Sequence, residues 1–156
     1  MAQFEISITL AAPIDAVWEA LQRPATLVYV SRGWLSFRPV DPPALPERWP
    51  QEGGDFEVAL AAFGIIPIGR QVIGISRPED PGPARVIRDN GRGKLVRVWD
   101  HRIALMPEGS GATRYTDSLR IEAGWLTPLV VIWARGFYAH RQRRWHKLVR
   151  RGLDPV

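Results

Sequence analysis

Cysteine is absent from this chain, and only two methionines and three histidines occur among its 156 residues. Without thiols the chain can form neither a disulfide nor a thiolate metal site, which suits a reducing compartment. Long hydrophobic runs are missing as well. The longest, around "WLTPLVVIWA", is about half of what a membrane-spanning helix needs. The opening "MAQFEISITL" lacks the basic start and the long apolar run of a secretory signal. The expectation is therefore a soluble, cytoplasmic protein. No internal repeat, low-complexity tract, glycine-rich phosphate loop, Ser–His–Asp arrangement or zinc-ligand spacing occurs. His140 and His146 are six apart on a helical stretch, so they do not share a face as joint ligands. No metal and no cofactor is expected.

The length suits one domain spanning 1–156. A chain of this size hides about 70% of its unfolded surface and can build a core without staples. The net charge of +5 is skewed toward the end, where "RQRRWHKLVRR" is rich in Arg and Lys and carries no acid. Its simplest reading is a solvated helix face. With Trp145 among the basic residues, it is also a candidate contact for an anionic membrane or nucleic acid.

Hydrophobic periodicity divides the chain clearly. "QFEISITL" alternates, with Phe4, Ile6, Ile8 and Leu10 on one face, and predicts a strand. "APIDAVWEALQRP" turns helical, with Ile14, Val17, Trp18 and Leu21 at helix spacing and Pro24 as its stop. A short helix over "ATLVYVSRG" and a strand over "WLSFRPV" follow, and five prolines between Pro39 and Pro50 mark an extended loop. "DFEVALAAF" and "IPIGRQVIGIS" read as strands, the latter bent or bulged at Gly69 and Gly74. "PEDPGPA" is a turn, "RVIRD" a short strand and "NGRGK" a tight hairpin connection. "LVRVWDHRIALM" and "ATRYTDSLRIEA" form the last hairpin around "PEGSG". A final long helix begins at Thr127, its expected cap, with Pro128 in its first turn. Its stripe of Val130, Trp133, Ala134, Phe137, Arg141, Trp145 and Leu148 is apolar in the first half and basic in the second, so the second half is expected to reach past the body of the fold. The resulting architecture is α+β: a long antiparallel meander curled around one C-terminal helix, with a core or cleft between them.

One feature breaks the apolar alternation of "VWDHRIAL". His101 lies on the same face as Trp99, Ile103 and Leu105. Closing the last hairpin with Leu105 opposite Thr113 pairs His101 with Asp117, Ile103 with Tyr115 and Trp99 with Leu119. A carboxylate beside the imidazole would raise its pKa above the ordinary value of about 6.5. The pair is either an internal hydrogen bond that fixes register or an acid/base couple, with His101 moving protons and Asp117 orienting it.

"APIDAVWEAL", the "GG" before a strand, the "WDHRIAL…TRYTDSLRI" hairpin and the closing amphipathic helix together resemble the START-like superfamily, also called Bet v 1-like or SRPBCC, which includes polyketide cyclase/dehydrase-like proteins. The resemblance covers essentially the whole chain. It implies a helix-grip fold and an elongated apolar cavity for lipids, sterols, polyketides or aromatic compounds. It also implies that Pro13, Val17, Trp18 and Leu21 serve structure in the first helix. Iron–sulfur hydroxylases of the superfamily carry added domains and metal ligands; with no cysteine here, that branch is excluded.

Three functions follow from the sequence. The first is binding of a small hydrophobic or amphipathic ligand, with Phe56, Val58, Phe63, Ile66, Trp99, Tyr115, Trp133 and Phe137 as candidate lining residues. The second is a cyclase or dehydratase using His101 and Asp117, with Tyr115 or Arg97 polarising a carbonyl; Arg97 lies either on the His101 face or at the strand's exposed end. The third is an interaction module acting through the basic end.

Overall fold

The computed structural model of the chain describes residues 1–79 and 82–156. Seven strands form one curved, fully antiparallel sheet: β1 (Ala2–Leu10), β2 (Leu35–Asp41), β3 (Gly54–Ala62), β4 (Ile66–Ser76), β5 (Arg85–Gly93), β6 (Val98–Glu108) and β7 (Ala112–Glu122). Their spatial order is β1-β7-β6-β5-β4-β3-β2. Two short helices, α1 (Ile14–Leu21) and α2 (Pro24–Ser31), follow β1 and cross from one sheet edge toward the other. Pro24 separates them. It removes the N–H that would continue α1, and its fixed φ suits the first position of α2. The long helix α3 (Thr127–Arg150) lies against β1, β7 and α2. This is the helix-grip α+β architecture expected from the sequence.

Several local expectations change. Thr127 does not cap α3. A 3₁₀ turn over Gly124–Leu126 precedes the helix, and Thr127 Oγ1 accepts from the Ala123 N–H at 2.9 Å while donating to the Gly124 carbonyl at 2.7 Å. Nor is "NGRGK" a hairpin tip, because β5 runs on to Gly93. Its glycines answer a close approach of neighbouring backbones: a Cβ on Gly91 would meet the Trp99 carbonyl at 2.8 Å, and one on Gly93 the Arg70 carbonyl at 2.7 Å. The bulge expected at Gly69 is present, as the β3–β4 register shifts between Leu60 and Ala61 opposite it. The turn expected over "PEDPGPA" includes residues 80–81, which lie outside the described residues.

The second half of α3 does not overhang. Arg141, Gln142, Trp145 and Leu148 are buried. The helix then stops in a left-handed turn at Gly152 (φ 72°), where the Gly152 N–H donates to the Val149 carbonyl at 3.0 Å and the Leu153 N–H to the Leu148 carbonyl at 2.8 Å. Arg144 donates to the Tyr29 carbonyl at 3.1 and 3.2 Å and stacks over its ring, as Arg151 also does. The basic stretch is thus fastened to α2 through the guanidinium groups of Arg144 and Arg151, and only part of it, including Arg143, Lys147 and Arg150, remains exposed.

The core has two clusters. One gathers Leu10, Val17, Val30, Phe56, Val58, Leu105, Tyr115 and Trp145 beneath α1 and α2. The other gathers Phe4, Leu119, Ile121, Phe137 and Tyr138 beneath the first half of α3. Phe37 and Leu60 pack against both. Among the described residues, no helix is long and apolar enough to cross a membrane.

Candidate functional site

Three neighbouring strands place polar side chains on the inner face of the sheet. In β5–β6 the register pairs Asp89 with His101, Ile87 with Ile103 and Gly91 with Trp99, so Asp89 and His101 point the same way. In β6–β7 it pairs His101 with Leu119, Ile103 with Asp117 and Leu105 with Tyr115. The expected hairpin register is therefore corrected by two residues. A two-residue slip keeps every side chain on its own face, whereas a slip of one would have inverted them. His101 and Asp117 consequently meet on the diagonal, with Nε2 and Oδ1 2.7 Å apart and both residues buried.

The carboxylate of Asp117 is fully engaged. One oxygen takes the His101 Nε2–H, and the other accepts from Gln142 Nε2 at 3.1 Å; Gln142 also donates to the Ile6 carbonyl at 2.9 Å. The expected rise in the His101 pKa does not occur. Burial outweighs the attraction of Asp117 and holds the imidazole below its ordinary value, so a neutral ring donates through Nε2 and leaves Nδ1 unprotonated. Its edge meets the Tyr138 ring with centroids 4.8 Å apart.

Asp89 is the residue that sequence reasoning missed. It is partly buried, its Oδ1 accepts the Gly74 N–H at 2.8 Å, and withdrawal from water pushes its carboxyl up to about 7. Arg141, a member of the α3 stripe, is the second such residue. It is 5% exposed, and its guanidinium lies over the rings of Tyr138 and Phe137, 5.0 and 5.7 Å from their centroids. A signal for Asp89 existed: in "RVIRD" it shares a face with Ile87 and interrupts the apolar alternation as His101 does. Val86 on the opposite face is equally apolar and buried, which hid the direction of the strand.

These groups meet at an inner cavity of about 80 Å³, lined by Asp89, His101, Tyr138 and Arg141 and by apolar residues that include Val30, Ile73, Ile103 and Trp145. A second, larger space lies under the start of α3. This outer cleft of about 430 Å³ is walled by Leu35, Leu60, Phe63, Ile68, Leu95, Val96, Trp99, Leu129, Val130 and Trp133, with Arg70 and Gln71 as its polar members. Trp99 of the cleft and Tyr138 of the cavity stack against each other, and the indole N–H donates to the phenol oxygen at 3.2 Å. They form a partition between the two spaces.

The expected lining residues divide accordingly. Phe63, Trp99 and Trp133 line the outer cleft. Phe56, Val58, Tyr115 and Phe137 are packed in the core and line neither space, because aromatic neighbours fill the room between sheet and helix: Trp49 on Phe56, Trp145 on Tyr115 and Trp133 on Phe137. Ile66 stands exposed at the β3–β4 hairpin beside the cleft. Arg97 precedes β6, is exposed and pairs with Glu122 at 3.1 Å, so it reaches neither space. Among the described residues, no group of three or more metal-ligating side chains converges.

The family model described as "Domain of unknown function (DUF8410)" matches residues 8–149. No curated protein matches the sequence. Solved structures similar to the chain include a START superfamily protein from Mycobacterium smegmatis, 10% identical over 96% of this chain and 97% of that one, with a TM-score of 0.63. The Zhui aromatase/cyclase from Streptomyces sp. R1128 is 15% identical over 98% and 96% of the two chains, with a TM-score of 0.60. Norcoclaurine synthase from Thalictrum flavum is 13% identical over 95% and 92%, again with a TM-score of 0.60. The fold is therefore that of the START-like (SRPBCC) proteins, as the resemblance in sequence implied.

Proposed function

We propose that this chain, which belongs to the DUF8410 family and has the START-like fold, binds a small hydrophobic or amphipathic molecule in the outer cleft between sheet and helix. The observation that carries this reading is the cleft itself. At about 430 Å³ it falls within the range of small-molecule sites, and its walls are almost wholly apolar. Of its lining residues Phe63, Leu95 and Leu129 are exposed, and so is Ile66, the strand partner of Ala62 on the cleft wall. A concentration of apolar surface of this kind marks an interaction site far more often than chance exposure does. Burying roughly 200 Å² of apolar ligand surface would contribute about 5 kcal/mol before the costs of association, so affinities weaker than nanomolar are expected.

A second reading, an acid/base enzyme of the cyclase or dehydratase kind, has its own supporting observation. His101, Asp89 and Arg141 face one cavity, and a neutral imidazole beside a carboxyl near neutrality is suited to moving a proton. Asp117 would orient the imidazole. That cavity, at about 80 Å³, is much smaller than the cleft of about 430 Å³, which makes binding in the larger cleft the first reading.

The test uses a neutral apolar dye, phenylnaphthylamine, titrated by fluorescence, together with native mass spectrometry of the protein as purified. Saturable dye binding that is lost in Leu129→Glu, a change at an exposed cleft wall, supports the reading. Absence of dye binding and of any retained small molecule overturns it.

A further inference from the structure

Arg141 is a buried cation without an ion-pair partner. Among the described residues no carboxylate oxygen comes within salt-bridge distance of its guanidinium, and its Nε makes no hydrogen bond. Such a group is costly, because a charge withdrawn from water needs both a counter-charge and acceptors for its protons. The phenols of Tyr138 and Tyr115 and, at longer range, Asp117 favour its charge, but neither of the two acids nearest in the fold forms an ion pair with it. Asp117 is held by His101 and Gln142. Asp89 stands on the cavity wall with one oxygen on the Gly74 N–H, and its burial favours the protonated, uncharged form. The cavity thus carries a cation without an ion pair on its helix side and a carboxyl able to donate a proton on its sheet side.

Size and lining narrow what could complete it. About 80 Å³ of space for water-sized spheres, at 10–15 Å³ each, holds a handful of waters or one carboxylate with a short stem. A guanidinium presents paired N–H groups matched to the two oxygens of a planar carboxylate. A phosphate or sulfate would bring more charge than one arginine offsets and more oxygens than this wall can satisfy. The remaining lining is mostly apolar, aliphatic at Val30, Ile73, Ile75, Ile87 and Ile103 and aromatic at Phe37, Trp49 and Trp145, and suits an apolar stem behind the anion; Arg88, which also borders the cavity, has its guanidinium held by both oxygens of Asp100.

We propose that the inner cavity is a carboxylate-binding site, in which Arg141 receives the anion, Asp89 and His101 flank it, and the aliphatic wall holds the first carbons of its chain. The carboxylate comes either from a free short-chain acid or from the head of the longer ligand of the outer cleft. The second case rests on the reading given under Proposed function, and reaching the cavity from there requires the Trp99–Tyr138 partition to part.

The experiment is calorimetric titration of the full chain with hexanoate, hexanol and dodecanoate, alongside the neutral dye. The variants are Arg141→Met, which removes the charge without leaving a void, and Arg141→Lys, which keeps the charge but loses the paired geometry. Hexanoate is expected to bind while hexanol does not, and Arg141→Met is expected to weaken hexanoate about 30-fold or more, with Arg141→Lys intermediate. Tight hexanoate binding that leaves the dye in place identifies a free acid. Carboxylate-dependent binding of dodecanoate alone, with expulsion of the dye, identifies the head of a longer ligand. Equal binding of hexanol and hexanoate, an unchanged acid preference in folded Arg141→Met, or no binding of either acid overturns the proposal. Dye binding without acid binding defeats this site and leaves the cleft reading standing; acid binding with neither dye binding nor a retained small molecule does the reverse.

Discussion

The most exacting prediction concerns Asp89→Asn. In the native protein the carboxyl titrates near 7, against a reference of 3.8. Between those values the folded chain keeps a proton that the unfolded chain releases, so wild-type stability falls as the pH rises from about 4 to about 7 and is level above that. The gap corresponds to roughly 4 kcal/mol at full burial. Asp89 is only partly buried, and water will trim this to about 2 kcal/mol. Asparagine cannot ionise, yet its amide oxygen can still accept the Gly74 N–H that Asp89 holds at 2.8 Å. The variant should therefore be more stable than wild type at about pH 8, by roughly 4–8 °C in thermal midpoint for a domain of this size. The advantage should shrink toward zero as the pH approaches 4. His101 imposes an opposite trend, because its lowered pKa makes stability fall as the pH drops below about 6.5. It does so in both proteins and cancels in the difference. Thermal melts of the two proteins across this range decide the matter. A difference that stays flat with pH, or a variant less stable than wild type at about pH 8, would refute the account of Asp89.

Two further outcomes are expected. Asp117→Asn should cost about 1–3 kcal/mol in urea unfolding, because a carboxylate accepts from both His101 Nε2–H and Gln142 Nε2–H, whereas an amide keeps one acceptor oxygen and sets its NH2 against the other donor; an unchanged midpoint would mean that the triad holds nothing together. Gly136→Ala should displace Trp34, since the new Cβ would meet the far edge of that indole at 2.8 Å; as Trp34 packs on Phe63 and Trp133 of the cleft, near-ultraviolet circular dichroism should change and dye affinity should drop, and unaltered spectra would contradict this packing.

Much of the fold was legible because hydrophobic period and turn chemistry agree over most of the chain. Strict alternation in β6 and β7 announced the last hairpin, and Pro13 and Pro24 bracketed α1. The failures have local causes. Register could be fixed only modulo two residues, because burial pattern reports which face a side chain takes and not its partner along the strand. Gly91 and Gly93 looked like turn residues, yet they serve the close approach of neighbouring backbones, which one strand's sequence does not display. The basic end of α3 suggested an overhang, but Arg144 and Arg151 lay their guanidinium groups over the Tyr29 ring and Arg141 turns inward. The site was half legible. His101 and Asp117 betrayed themselves as polar interruptions of apolar stripes. Asp89 lay on a strand with one buried apolar residue on each face, Val86 and Ile87, and Arg141 was concealed among other arginines.

The polar cluster is difficult to account for as a device for stability. Of its members, Asp117, His101 and Gln142 satisfy one another, and such a closed set can fix the seating of α3 on β1 and β7. Asp89 and Arg141 do not belong to that set. One is held by a single backbone amide, the other lacks a counter-ion, and both border the cavity. Apolar or neutral residues of similar volume at these two places should leave the fold intact and make it more stable, since replacing buried charges in this way is often neutral or favourable. If Asp89→Asn combined with Arg141→Met does raise the thermal midpoint, folding alone does not explain a cation and an acid at those positions. Their use would then have to lie with something that enters the cavity, and the carboxylate titrations would show whether that is an acid. If the double variant is instead severely destabilised, the two side chains support each other across the cavity, and the case for a binding site there falls with that result.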